Sequence, residues 1–443
     1  MIRRNEQVDV LVVNSPLFRE SGIRDDEDYL PPLGLGYIAT DLQSNGIAVE
    51  LVDTVAEGLG VNDLIVKIQG SHPEYVALNV FTTNLHLVRE VVKKTPDTRF
   101  IVGGLVTRSI HEEMAGWDPA SPLDIVLGDG DHIVSALVLG SSVPHVDCGR
   151  GIRVIEVGTA SPYFPLDISN ISLDRSFFMR PYGAKMHEEC IITSRGCIYN
   201  CAFCAAAKSL NRGTPARERS AASVANEVAL LCEQYPDLVS IRVLDDLFLR
   251  NVASVERATR IFNQVSLGWR AMAHILSFRS LDDTHLRQLR QSGCTEVFVG
   301  IESGSPRILR KIHKTANVAL IRHTIGRILR AGIGVKGYFI FGFPSETVAD
   351  MEMTYALAEA LKEDAVQCGG YFRTSAFQFR PYHGTELYYV IVQGGARVQM
   401  SSQDALTESV GRRQFNFSSG NFSEAPDDKL QGFITSTLNL NNA

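Results

Sequence analysis

The sequence predicts two α/β units in tandem. A doubly wound, Rossmann-like domain is expected over residues 1–140, and a partial (β/α)6 barrel of the TIM type over residues 186–390. Three observations carry this. At 443 residues the chain exceeds the roughly 250 to 300 residues at which one core stops growing. Short runs of buried-type residues alternate with amphipathic stretches through both halves, the pattern of parallel strands covered by helices. Between the halves, residues 141–185 carry prolines and polar turns, "TASPYFPLDISN" among them, without a period, and read as a linker. Residues 391–443 form a carboxy-terminal extension, either a lid carrying Phe415 and Phe417 or a tail.

In the first unit, "VDVLVV" (Val8 to Val13) is a strand ending in the turn "NSPL". "PPLGLGYIATDLQSNG" is a helix opened by proline, with Gly46 past its end. "VELVD" (Val49 to Asp53), a helix near Leu64 to Gln69, "YVALNV", a helix near Leu85 to Lys94, "RFIVGG" and "DIVLGDGD" complete five strand-helix units. A ligand is expected at the loops beyond the strand ends. No Gly-x-Gly-x-x-Gly follows the first strand, which speaks against a dinucleotide.

The second alternation begins at "CIITS" and runs through "VSIRVLDD", "WRAMAHILSF", "TEVFVGIES", "GVKGYFIFGFP" and the stretch near "AFQFRPYHGTELYY". Helices over Ala221 to Gln234, Val252 to Gln264, Leu281 to Ser292, Asn317 to Ala331 and Val348 to Leu361 separate them. Polar residues gather after the strand ends, as on the top face of a barrel, which favours a partial barrel over an open sheet.

Composition excludes several classes. A net charge of -7, a pI near 5.9 and the absence of a dense Lys/Arg stripe argue against nucleic acid as partner. No stretch approaches 18 apolar residues, so no membrane span is expected, and "MIRRNEQVDVLVV" does not read as a signal peptide. Cys148, Cys190, Cys232, Cys294 and Cys368 show no pairing pattern, consistent with a reducing cytoplasm.

The remaining three cysteines, Cys197, Cys201 and Cys204, fall within "TSRGCIYNCAFCAAAK", in the loop after the first strand of the second unit. Thiolates bind soft metals, and four would close a structural zinc site or cap a cluster fully. Three in the spacing Cys-x3-Cys-x2-Cys leave one iron of a 4Fe-4S cube without a protein ligand. The bland alternative is zinc with Cys190 or His187 as fourth ligand; Cys190 lies on an apolar strand, where thiols usually serve as small core residues.

This loop, with Phe203 just before its last cysteine, resembles the signature of radical S-adenosylmethionine (SAM) enzymes. The resemblance implies that SAM takes the open iron through its amino and carboxylate groups and is cleaved reductively to a 5'-deoxyadenosyl radical, with electrons from a flavodoxin- or ferredoxin-type donor. It also implies roles elsewhere. Asp245 or Asp246 in "LDDLF" would meet the cofactor's amino group, and Arg279 its carboxylate. Glu302 and Ser303 in "VFVGIESGSPRIL" would meet the ribose, and the strand opening at Gly337 the adenine. Tyr382 and His383 in "RPYHGTELYY" would face substrate.

The first unit is similar to the cobalamin-binding domain that precedes many such barrels. A flat corrin needs a bed of backbone and small residues at strand ends, which Leu33, Gly34, Gly103 and Gly104 offer, with Thr82, Thr83 and Gly128 along the same edge. The Asp-x-His-x-x-Gly run that supplies an axial histidine in other cobalamin domains is missing. Together the resemblances imply cobalamin-dependent methylation of an unactivated carbon in a small natural-product precursor. The alternatives are a radical dehydratase, deoxygenase or cyclase whose first domain makes no chemical use of cobalamin, and a zinc or iron-sulfur nucleic-acid-binding module. A methylthiotransferase would need a second cysteine set on the first domain, where only Cys148 lies near.

Overall fold

β-Branched runs bounded by turns become the strands of two sheets. In the computed structural model, which describes residues 8–16, 30–178, 187–396, 398 and 420–442, the first sheet holds β1 (Val10–Asn14), β2 (Val49–Asp53), β3 (Tyr75–Asn79), β4 (Arg99–Gly103) and β5 (Leu123–Gly128). All pair in parallel, in the order β2-β1-β3-β4-β5. The chain winds outward from β1 in both directions, so the crevice where a doubly wound sheet takes its ligand lies at the carboxyl ends of β1 and β3.

Part of the segment read as linker belongs to this sheet. β6 (Val146–Asp147) and β7 (Ile152–Val157) extend it, β7 parallel to β5 and β6 antiparallel to β7. The run "IRVIEV" hides its strand character behind two charges, and one of them is structural. Arg153 forks onto the buried Asp124 of β5, at 2.6 Å to Oδ1 and 2.7 Å to Oδ2.

The second sheet contains β8 (Glu188–Ile191), β11 (Ser240–Val243), β12 (Gly268–Ala273), β13 (Cys294–Glu302), β14 (Gly334–Phe341) and β15 (Phe372–Gln378). They run in the order β15-β14-β13-β12-β11-β8, all parallel, with β8 and β15 left as edges, so the barrel is partial as expected. Covering helices begin where a polar side chain caps them: Ser220, Asn251, Asp282 and Thr347 each accept from a backbone N–H of the following turn. A short antiparallel pair, β9 (Ser194–Arg195) with β10 (Arg217–Glu218), stands above the barrel.

The domains are docked. The helix Leu33–Ser44 buries Leu33 and Tyr37 against Cys190 of β8. The Thr159 N–H donates to the Gly213 carbonyl (3.0 Å), and the His383 N–H donates to Thr82 Oγ1 (3.2 Å). In the carboxy-terminal extension a helix, Asp427–Asn439, buries Leu430 and Ile434 in the barrel core. Phe415 and Phe417 lie outside the described residues. Among the described residues no helix is long and apolar enough to cross a membrane.

Candidate cofactor site

The cysteine loop grows from a stem held by one aspartate. Asp245, fully buried at the end of β11, accepts from Thr193 N–H (2.7 Å), Thr193 Oγ1 (2.6 Å) and Ser194 Oγ (2.7 Å). Arg257 closes the network by donating to the Thr193 hydroxyl (3.1 Å) and to the carbonyls of Thr193 and Arg219 (both 3.0 Å). The chain then turns at Gly196, whose φ of +84° requires glycine and whose Cα faces Ala216 of the returning strand. Of the two expected carboxylates, Asp245 is therefore spent on the stem and Asp246 is the one exposed to solvent. Protein walls Asp246 in on most sides, and this desolvation, with Asp245 adding, raises its pKa.

Within the loop, backbone bonds Cys204 N–H to Cys201 O and Ala207 N–H to Cys204 O (each 3.1 Å) form tight turns, and Asn211 donates to the carbonyls of Ala205 (2.9 Å) and Ala207 (3.0 Å). Cys197, Cys201 and Cys204 are partly buried, and burial pushes all three thiols up, Cys204 to about 12. Phe203 packs edge-on to Phe343, 5.7 Å between ring centres, anchoring the loop to the segment after β14. Among the described residues no three His, Cys, Asp or Glu side chains converge on a single ion.

Two residues that sequence reasoning missed complete the surroundings. Lys314 is buried and pairs with Glu302, Nζ to Oε1 at 3.1 Å, while also donating to the Gly300 carbonyl (3.3 Å). Burial opposes its charge, but Glu302 and the thiols of Cys201 and Cys204 outweigh burial and raise its pKa. Glu302 reaches this position from a bulge in β13, with φ at +68°, a strained value for a non-glycine residue. The second is His274, stacked on Tyr199 between Cys197 and Cys201 with 4.1 Å between rings. Its Nδ1 accepts from the Leu276 N–H (3.1 Å), and burial, with Lys314 adding, pushes its pKa down to about 3. The neutral ring then carries its proton on Nε2, which is buried without a partner among the described residues. A buried orphaned donor beside the cysteines is a place for a ligand.

Other expected residues have structural duties. The Ser303 hydroxyl pairs with Thr354 (2.9 Å) and accepts from the Ser305 N–H (3.1 Å), tying β13 to the helix Val348–Gln367. Gly337 is enclosed by Phe372, Ile301 and Phe339, any of which a Cβ would crowd at 3.1 Å or less, so core packing explains this glycine. Arg279 is exposed at the end of a short 3-10 turn, so the buried cation beside the thiols is Lys314 instead. His383 is turned to Thr82, with Nδ1 at 3.1 Å from its hydroxyl, and so joins the domains.

The loop after β14 contains a carboxyl that should be protonated at neutral pH. Glu346 is fully buried and its Oε2 accepts from the N–H groups of Gly342 (2.5 Å) and Phe343 (3.1 Å). Burial raises its pKa to about 8, from an unfolded value near 4.5. The folded chain therefore holds the proton more tightly, and stability falls as pH rises through this window, by roughly 1.4 kcal/mol per pH unit. Glu346→Gln is expected to flatten the melting temperature between pH 5 and pH 8; an unchanged slope would place the proton elsewhere.

At the crevice of the first sheet lies a half-open cavity of about 430 Å3, walled by residues of β1, β3, β4 and β5 and by the start of the helix Leu33–Ser44. Of the residues proposed for the corrin, Gly34, Gly103, Gly104 and Gly128 line this cavity; Leu33 instead faces the barrel, and Thr82 and Thr83 are buried outside the lining. A Cβ on Gly34 would meet nothing within 4 Å, and one on Gly103 nothing closer than 3.9 Å, so these two leave room for a bulky group. Gly104 and Gly128 are glycines for backbone reasons: their φ values are +135° and +125°, and a Cβ would stand 2.5 and 2.0 Å from a carbonyl oxygen. Two amides missed in the sequence, Asn14 and Asn79, sit on the rim, linked at 2.8 Å, with Asn14 donating to Asp53 (2.7 Å). This apolar bed with a polar rim fits a corrin, whose flat ring carries amides at its edge.

Comparison with known proteins agrees with the geometry. Residues 23–138 match the B12 binding domain and residues 191–358 the radical SAM superfamily. An uncharacterised methyltransferase of Pyrococcus horikoshii is 26% identical over 84% of this chain and 80% of its own. Cytidylyl-2-hydroxyethylphosphonate methyltransferase of Streptomyces wedmorensis is 25% identical over 89% and 83%. In fold, the chain is similar to the radical SAM methyltransferase TsrM of Kitasatospora setae, solved with cobalamin and a 4Fe-4S cluster (TM-score 0.64, 18% identity, 97% of this chain and 88% of that one). It is also similar to the cobalamin-dependent SAM radical enzyme OxsB (TM-score 0.63, 15% identity, 95% and 65%). The chain is a radical SAM enzyme with an amino-terminal B12-binding domain.

Proposed function

We propose that this protein is a cobalamin-dependent methyltransferase that acts on an unactivated carbon of a small molecule, in the cytoplasm, with electrons from a flavodoxin- or ferredoxin-type donor. The observation that carries this reading is the cavity with room over Gly34 and Gly103, opening beside the stem of the cysteine loop through their shared neighbour Arg195. When bound, the cluster and SAM supply a hydrogen-abstracting radical and the corrin supplies a methyl carrier. The chain's own residues bind and orient. Cys197, Cys201 and Cys204 hold the cluster. Asp246 and the Nε2–H of His274 offer an acceptor and a donor to SAM, and Lys314 balances the thiolate charge. Gly34 and Gly103 seat the ring while Asn14 and Asn79 meet its amides.

The test is an anaerobic reaction with candidate metabolites followed by mass spectrometry. Gain of one methyl mass together with 5'-deoxyadenosine supports the reading. Formation of 5'-deoxyadenosine with a rearranged or dehydrated product and no methyl gain would replace it with the cyclase or dehydratase reading. A spectroscopic expectation follows from the cavity lining, in which no described residue carries an imidazole, thiol or amine. Cobalamin bound in the Co(II) state should give the same EPR pattern in unlabelled and 15N-labelled protein; a changed nitrogen splitting would reveal a protein ligand to cobalt.

A further inference from the structure

One side chain belongs both to the wall of the first domain's cavity and to the stem of the cysteine loop. Arg195 lines the cavity and is separated from Cys197 only by Gly196. Its Nη1 donates to Asp129 Oδ2 (3.0 Å) and Asp131 Oδ2 (2.5 Å), and its Nη2 to Asp131 Oδ1 (3.1 Å). The guanidinium lies over the ring of Tyr37, 5.5 Å from its centre. Arg217, the register partner of Arg195 in the β9-β10 pair, donates to the same Asp129 Oδ2 (2.8 Å) and to the Pro165 carbonyl (2.6 Å), and lies over Phe164 at 4.1 Å. Asp129 and Asp131 line the cavity too.

The anchors stand on closely packed backbone. Gly128, on one side of Asp129, has φ +125° and contacts the Val157 carbonyl too closely for any side chain. Gly130, between the aspartates, lies under Ile38, whose Cδ1 would stand 2.7 Å from a Cβ. Two guanidinium charges face two carboxylates, so the group is neutral and its donors are already directed. This disfavours a role for Arg195 as an anion subsite and favours one in orientation. A bidentate fork transmits direction as well as attraction, which a point charge does not. An ordinary docking salt bridge would hold the domains together but leave the cysteine loop indifferent to what fills the cavity.

We propose that Arg195 is a positioning residue that couples occupancy of the amino-terminal cavity by a corrin to the arrangement of the cysteine loop, with Asp129 and Asp131 as its anchors. This rests on the cobalamin reading given above. A ring seated on Gly34 and Gly103 closes the open side of the cavity and holds the fork in the orientation it already has, and Gly196 and Cys197 are held with it. Coupling of this kind is reciprocal, so a loaded cluster must tighten corrin binding by the factor by which corrin stabilises the cluster.

The experiment is equilibrium dialysis against hydroxocobalamin, with bound cobalt counted by mass spectrometry, for the full chain with and without its reconstituted cluster. Wild type should bind about tenfold more tightly when the cluster is present, a typical coupling between two sites. Arg195→Ala should bind equally in both states, Asp131→Asn should shrink the ratio, and Arg195→Lys, which keeps charge without the fork, should restore it only in part. A purely structural salt bridge would lower stability in both states and leave the ratio intact. A ratio preserved in both Arg195→Ala and Asp131→Asn, or absent from wild type, overturns the proposal alone. Failure of wild type to bind cobalamin in either state would overturn the cobalamin reading and this inference with it.

Discussion

Replacement of Cys201 by alanine is expected to abolish reductive cleavage of SAM while leaving the fold in place. Cys201 is held in a loop whose shape is set by other groups: Asp245 at the stem, Asn211 within it and the Phe203–Phe343 contact at its far side. None of these needs the thiol. The cluster does, because with two thiolates left two irons of the cube would lack protein ligands. After anaerobic reconstitution, iron should fall from about four per chain to substoichiometric, the brown absorbance should fade, and 5'-deoxyadenosine should drop to background. Far-ultraviolet circular dichroism should be unchanged. Retained cleavage would remove Cys201 from the ligand set. Because burial holds the metal-free thiols up, with Cys204 at about 12, assembly must release protons and should be faster at higher pH.

The second large effect is expected at Lys314. Lys314 and Glu302 are both almost sealed from solvent and paired at 3.1 Å. Removal of one partner leaves the other charge buried alone, which typically destabilises by about 3–5 kcal/mol. Lys314→Met should lower the melting temperature of the barrel accordingly, and cluster uptake should slow because the Glu302 charge would then act unopposed on Cys201. The double variant Lys314→Met with Glu302→Gln removes both charges and should recover most of the loss. Calorimetry distinguishes the cases. A single variant within about 1 kcal/mol of wild type would match an exposed, screened pair and would show that water reaches this site.

Period and spacing made much of this legible in the sequence. The strands β1 to β5 and β11 to β14 follow from apolar runs such as "VLVV" and "VFVGI" alternating with helices, and the cysteine spacing, with the family signature it resembles, pointed to an open-cornered cluster. What stayed hidden depends on partners distant in the chain. The strand Ile152–Val157 was masked by Arg153, whose charge is neutralised by Asp124 across the ladder. Asp245 and Asp246 are indistinguishable as neighbours in sequence, and only the hydroxyls of Thr193 and Ser194 separate their roles. Gly337 reads as a place for a ligand until Phe372 is seen filling the space. For Lys314 and Arg195, nothing local in the sequence announces a carboxylate brought up by a bulge in β13 or by the loop after β5. The one usable hint was adjacency: Arg195 stands beside the turn that opens the cysteine loop.

The most direct measurement is the EPR spectrum of the dithionite-reduced, iron-reconstituted chain, recorded with and without SAM. A cluster signal whose g values move when SAM is added would show that an iron without a protein ligand receives it, as a cube held by three cysteines requires. A signal indifferent to SAM, or a chain that retains zinc and takes up no cluster, would contradict an open iron corner and every radical step built upon it.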